Sequence, residues 1–412
     1  MASDVAQSAR RIAADVEALT GERYTLPGAG ITRYAYTDAY AATLDYFRAA
    51  FEALGFEVWS DPVGTLVASN VGPGERAFGM GSHCDSNRNG GAWDGTLGVV
   101  SALEACRLAR DSGLDLPLRV IAFLEEEASG FGQMLLGSRI VLGAVTDEEL
   151  ASYRDEHGVA FLEAAARAGY RPDERARAGE VLDGLVGWIE LHIEQGRVLQ
   201  DTGARLGVVE AIAGYVHADL VIEGRADHAG ATPMGYRSDA GITAAEAVVE
   251  LERIVTSHSP DTVGTIGALS FAPGIINVIP GRAEMTIDVR SVSGDHERVF
   301  AAFADFVRGR AAAREQRVDL RERNRVAATA MDSHVVEALE RAAQLSGAPW
   351  RRMPSGAAHD TQMVARRVPS AMLFVPCRDG ISHSPDESAD PADAALGVQV
   401  MLAAARQLLS DT

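Results

Sequence analysis

The sequence predicts an α/β protein whose main domain is interrupted by an inserted α+β domain, and three observations predict it. LRVIAFLEE (118–126) and LVGWIELHI (185–193) are continuous apolar runs that end in or carry acids. That is the pattern of buried strands whose carboxyl ends open into a site. Near residue 212 the texture changes, and YVHADLVIEG (215–224) alternates like a half-buried strand. Near residue 330 the earlier helix–strand texture returns. A chain of 412 residues also exceeds one compact core, so two domains are expected.

The elements follow in order. Residues 2–19 predict an amphipathic helix, with Val5, Ile12, Val16 and Leu19 on one stripe. Residues 37–54 predict a second, with Thr37 as its cap and Gly55 after its end. Short β-like runs at 56–59, 64–69 and 77–82 come next, then a helix from Gly95 to Arg110. Beyond 212 a strand is followed by a helix at 239–257, strands at 264–272 and 283–291, and a helix at 294–312. This β-α-β-β-α order fits helices on one face of an antiparallel sheet. A helix at 332–346, a strand at 370–376 and a helix at 391–409 complete the chain. The division is therefore a main domain of 1–212 and 330–412 around an insertion of 213–329.

Composition narrows the function. Hydrophobic residues at 47% and charged residues at 23% are ordinary for a globular protein. The net charge of -20 repels phosphate backbones and argues against nucleic acid as a partner. No run approaches a membrane span, and the N-terminus carries Asp4, Arg10, Arg11, Asp15 and Glu17 where a signal peptide needs apolar residues. Cys84, Cys106 and Cys377 form no disulfide framework and fit a reducing compartment, so a cytoplasmic protein is expected.

The chemistry is concentrated at five histidine or acid fragments. GSHCDS places His83 at the end of an apolar run, and NGGAWDG places Asp94 in a glycine-rich loop before a helix. EEEASGFG puts Glu125, Glu126 and Glu127 at a strand end. ELHIEQG sets Glu190, His192 and Glu194 on one face of a strand, and GISHSPDE puts His383 in a turn-rich loop. Histidine and carboxylate without cysteine suit zinc and other first-row divalent ions. A second ion sharing a carboxylate would clamp the nucleophile of a hydrolysis. Cys84 reads as a buried thiol on the face opposite His83. His157, His258, His296 and His334 read as solvated histidines, and His217 as structural.

These fragments, with DHAGATPMGYRSDA, NVIPG, DVRS and SGAAHDTQ, occur in one order. From about residue 40 to 405 the chain resembles the N-carbamoyl-L-amino-acid hydrolase and allantoate amidohydrolase family. That family belongs to the clan of aminoacylase- and carboxypeptidase-like two-metal hydrolases. The resemblance implies a metallopeptidase-like catalytic domain with an inserted lid and dimerisation domain, and a homodimer. It implies two divalent ions per chain (zinc, manganese, cobalt or nickel). His83 and His192 match ligands of one ion, Glu127 and His383 ligands of the other, and Asp94 the bridging carboxylate. Glu126 matches the general base. Gln195 and His228 match residues that hold the scissile carbonyl, with the histidine donated across the dimer interface. Asn277, Arg290 and the Gly356 backbone match a clamp for the substrate carboxylate.

Three departures stand out. Gly130 occupies the place of a family arginine, and Glu125 the place of a frequent asparagine. Thr361 follows His359-Asp360 where alanine is usual. The expected reaction is hydrolysis of an amide or ureido carbon–nitrogen bond of a small carboxylate, first an N-carbamoyl-L-amino acid and second an allantoate-like ureide. The alternative is an N-acyl-amino-acid amidase or small dipeptidase of the same clan. A catalytically dead binding relative is the non-enzyme reading.

Overall fold

A computed structural model describes residues 2–411. The chain divides into two compact units. The first comprises Met1–Glu210, Met331–Met353 and Ala358–Thr412, and the second Ala211–Ala330 with Pro354–Ala357. The segment 354–357, which the linear reading leaves in the catalytic domain, thus joins the insertion. Ser355 O accepts the Ala213 N–H at 2.9 Å, and Gly356 O accepts from Arg290 at 3.1 Å. Neither bond is visible in local periodicity.

The strands are β1 (Glu57–Ser60), β2 (Leu66–Ser69), β3 (Ala77–His83), β4 (Leu118–Phe123), β5 (Leu185–Ile193), β6 (Leu206–Ile212), β7 (Gly214–Glu223), β8 (Val263–Ala272), β9 (Arg282–Ser291), β10 (Arg317–Val326), β11 (Thr329–Ala330), β12 (Trp350–Ser355) and β13 (Ser370–Val375). In the first unit the sheet order is β1-β2-β4-β3-β5-β13-β6, with β12 also on β6. Its centre is parallel: β3 pairs with β4 and β5, and β13 with β5. Every residue of β3, β4 and β13 is buried, as expected of strands covered on both faces. The helices Thr96–Asp111 and Pro391–Asp411 pack on this centre. The first helix is Ala2–Ala18. Of the predicted stripe, Ile12, Val16 and Leu19, the last just past the helix end, are buried and Val5 is half-buried. Thr37 caps the second helix by accepting the Tyr40 N–H.

Parallel order decides where the chemistry falls. His83 is paired in register with Phe123, and His192 with Phe374. The carboxyl ends of β3, β4, β5 and β13 therefore lie along one edge, and the segments leaving them start together. β4 stops at Phe123, earlier than the predicted 118–126, because the chain turns through Glu125 at φ 52°. The three glutamates thus lie in a loop.

In the second unit the order is β10-β7-β9-β8, all antiparallel. The helices Ala240–Thr256 and His296–Ala312 cover one face through a core that includes Val216, Leu220, Leu251, Ile287 and Phe303. β10 is missing from the sequence reading because RVDLRERNRV offers only Val318 and Leu320 to that core. His296, expected at the surface, is 1% exposed. It opens its helix beneath Gly214, where a Cβ would lie 2.4 Å from the ring, a packing that sequence neighbours do not reveal. Among the described residues no helix is long and apolar enough to cross a membrane.

Candidate metal centre

Side chains from the ends of β3, β4 and β5 and from two loops meet in the first unit. Asp94 is their centre. Its Oδ1 lies 3.6 Å from His83 Nε2 and 3.2 Å from His192 Nε2. Its Oδ2 lies 3.3 Å from His383 Nε2, which is also 3.3 Å from Glu127 Oε1. The donor atoms form two groups, His83-Asp94-His192 and Asp94-Glu127-His383, each within 4.8 Å. Gly95 makes this approach possible. It has φ 61°, and a Cβ there would lie 2.2 Å from the His83 ring.

The donor set fits divalent ions. His83 Nδ1 faces the Asp85 carbonyl at 3.3 Å, and His192 Nδ1 faces the Ile193 carbonyl at 2.9 Å. These contacts orient each ring with Nε2 towards the centre, where His192 Nε2 also faces the Gly95 N–H at 3.2 Å. Asp85, Asp94, Glu126 and Glu127 all crowd these imidazoles. Burial works against the Asp94 carboxylate, yet His192, His383 and His83 hold it well below the usual range. Burial, with Asp94 adding, pushes Glu127 up to about 8. Burial pushes Glu126 well above the usual range, with His83 opposing and Glu127 adding. A third group, Glu190-His192-His359, fits a metal poorly. Glu190 already accepts from the Ser82 and Thr361 hydroxyls at 2.6 Å and the Thr361 N–H at 3.1 Å.

The three glutamates separate cleanly. Glu127 faces His383, and its other oxygen accepts from Asn87 at 2.8 Å. Glu126 sits beside the first group, 3.8 Å from His83 Nε2. Glu125 turns away, and its Oε1 accepts the Gly130 and Phe131 N–H at 2.7 Å each. A Cβ at position 130 would lie 2.6 Å from Glu125 Oε2. Glycine at 130 and glutamate at 125 are thus a matched pair, which gives these two of the three departures one packing cause. Gln195 Nε2 donates to Asp94 Oδ2 at 2.6 Å.

Three partners went unread in the sequence. Asp85 accepts the backbone N–H of Glu126 and Glu127 at 3.1 and 3.0 Å, fixing the acid loop under His83. Its spacing of two residues from His83 was the available signal. Asn87 bridges Glu127 and His383 and carries no pattern. Glu387 holds two loops, and its place at the end of GISHSPDE, four residues after His383, was the available signal. Two faces were also drawn too far. β3 ends at His83, one residue before the buried Cys84. β5 ends before Glu194, whose carboxylate instead accepts the Val198 and Leu199 N–H.

The remaining predicted residues belong to the second unit. His228 Nδ1 accepts the Gly230 and Ala231 N–H at 3.0 and 3.1 Å, which leaves Nε2 protonated as a donor. His228 also bridges Val278, beside Asn277, whose carbonyl accepts the Ala229 N–H. Arg290 pairs side-on with Asp288 through Nε and Nη2, and Nη1 donates to Gly356 O. One hydrogen on Nη1 and one on Nη2 remain, side by side at the end of the fork. That end suits a carboxylate.

The profile of peptidase family M20/M25/M40 matches residues 79–407. The chain is 37% identical over 399 residues to an N-carbamoyl-L-amino-acid amidohydrolase of Paenarthrobacter aurescens, covering 96% of each. It is 36% identical over 398 residues to a ureidoglycolate hydrolase of Oryza sativa subsp. japonica, covering 93% of this chain and 81% of that one. A crystal structure of a hydantoinase/carbamoylase family amidase from Burkholderia multivorans superposes with a TM-score of 0.86 at 32% identity, over 97% of each chain.

Proposed function

Because the chain belongs to peptidase family M20/M25/M40, we propose that the cluster around Asp94 binds two divalent ions and hydrolyses the ureido carbon–nitrogen bond of a small carboxylate. The protein is an amidohydrolase acting outside peptide bonds. The substrate read first is an N-carbamoyl-L-amino acid, and second an allantoate-like ureide. One observation carries the two-ion reading: the two oxygens of Asp94 face two separate donor groups. His83 and His192 would hold one ion, Glu127 and His383 the other, with Asp94 shared. Zinc, manganese, cobalt and nickel all suit this set. Bound ions supply an acidified water and a polarised carbonyl.

The chain's own residues do the rest. Glu126 takes the proton of the attacking water and returns it to the leaving nitrogen, which departs poorly as an anion. Gln195 orients the scissile carbonyl, and the Nε2–H of His228, donated across the dimer interface of the homodimer proposed below, stabilises the charge that develops on its oxygen. Arg290, Asn277 and the Gly356 backbone hold the carboxylate. A cytoplasmic location accords with the three free, buried cysteines.

A panel of N-carbamoyl amino acids, ureides, N-acyl amino acids and dipeptides tests the substrate class. Hydrolysis of carbamoyl or ureide substrates with little on the others is expected. Preference for acyl or dipeptide substrates overturns it. On the preferred substrate, Arg290→Ala should raise KM roughly ten- to a hundredfold, the loss of a charged hydrogen bond, with metal content unchanged. An unchanged KM makes Arg290 a structural partner of Asp288.

The proposed assembly is a homodimer through the second unit. The support is β8, an edge strand exposed except at the half-buried Gly264 and Ile266, with Val263, Leu269 and Phe271 uncovered on it and Ile276 uncovered beyond its end. An unpaired edge with apolar side chains favours a partner strand. Sedimentation should give twice the chain mass, and Phe271→Lys should shift it towards monomer. A monomeric parent with full activity contradicts the assembly.

A further inference from the structure

The two ligand groups are supported unequally. His83 and His192 lie on β3 and β5 in the middle of the sheet. His383 sits in a loop at φ 55° with its side chain 49% exposed, and Glu127 follows the end of β4. What holds the loop-borne group is a residue outside the ligand set. Glu387 is 5% exposed. Its Oε1 accepts the backbone N–H of Trp93 and of Asp94, both at 2.9 Å. Its Oε2 accepts the Ser382 hydroxyl at 2.9 Å and the His383 backbone N–H at 3.2 Å. Ser382 Oγ also lies 2.9 Å from Asp94 Oδ2. The carboxylate fills the space beside Gly91 that any side chain there would take, since a Cβ would lie 2.1 Å from Oε1.

We propose that Glu387 is a positioning residue that locks the loop of the shared Asp94 to the loop of His383 and thereby sets the affinity of the second ion. The inference rests on the two-ion reading above. A carboxylate is required because all four of its partners are donors. In Glu387→Gln the amide oxygen can still accept from Trp93 and Asp94, but the amide nitrogen then faces the His383 N–H, donor against donor. The damage should fall on the loop-borne group and spare the strand-borne one.

Calorimetric titration of zinc ions into chelator-stripped protein tests this without any turnover measurement. The parent should take two ions. Glu387→Gln should bind the first within about threefold of the parent and the second about 10- to 100-fold more weakly, the usual effect of removing an outer partner of a ligand. Parental affinity for both ions, or equal weakening of both, overturns the proposal. If circular dichroism shows Glu387→Gln unfolded, Ser382→Ala decides. It removes the hydroxyl's contacts with Glu387 Oε2 and with Asp94 Oδ2, the oxygen on the side of the second ion, and should weaken only that ion, several-fold; unchanged binding overturns the proposal. A parent that takes fewer than two ions overturns the two-ion reading itself, and this proposal with it.

Discussion

Replacing Glu126 by glutamine is expected to leave metal content and substrate binding intact while turnover falls by on the order of 10²–10⁴, the span of an acid–base group. The substitution keeps shape and removes the basic oxygen. Glu126 belongs to neither donor group, so its loss should cost no ion. Its backbone is fixed by Asp85, so the side chain stays in place. The neighbours supply internal controls. Glu127→Gln should weaken the ion shared with His383, because Glu127 faces that imidazole. Glu125→Gln should change turnover little, since a glutamine oxygen can accept the same two N–H groups of Gly130 and Phe131. Metal analysis beside steady-state kinetics on all three variants separates the roles. If Glu125→Gln is inactive and metal-replete while Glu126→Gln loses metal, the assignment is shifted by one residue.

The largest loss is expected at Asp94. Asparagine has one acceptor oxygen and no charge, so it can serve at most one of the two donor groups. Asp94→Asn should drop the zinc content from near two ions per chain to one or fewer. Activity should fall by on the order of 10³ or more, about 4 kcal/mol of barrier. Exhaustive chelation of the parent should abolish turnover, and returning the ion should restore it. Full activity after chelation, with metal shown to be absent, would falsify the metal mechanism outright.

Much of this was legible in the chain itself. Apolar runs such as LRVIAF and LVGWIELHI mark the buried strands because strands covered on both faces must be apolar throughout. The fragments at their ends carry the side chains that the fold gathers at Asp94. Alternation in YVHADLVIEG gave the half-buried β7. RVDLRERNRV hid β10, because its only apolar residues, Val318, Leu320 and Val326, are set among charged ones.

The sequence by itself determined the residue types at the cluster and the strand ends that deliver them, since periodicity and local apolar pattern act over a few residues. Tertiary structure alone decided how those residues are used. It divided the two oxygens of Asp94 between two groups, turned Glu125 away from them, and fitted Gly130 over its carboxyl. It left one end of the Arg290 fork open by pairing the other with Asp288. It also brought Glu387 onto Trp93 and Asp94 from nearly three hundred residues away. Each of these is a hydrogen bond or close approach between loops. A buried donor or acceptor must find a partner, but which partner depends on how the parallel strands bring their ends together, and no run of neighbouring residues records that.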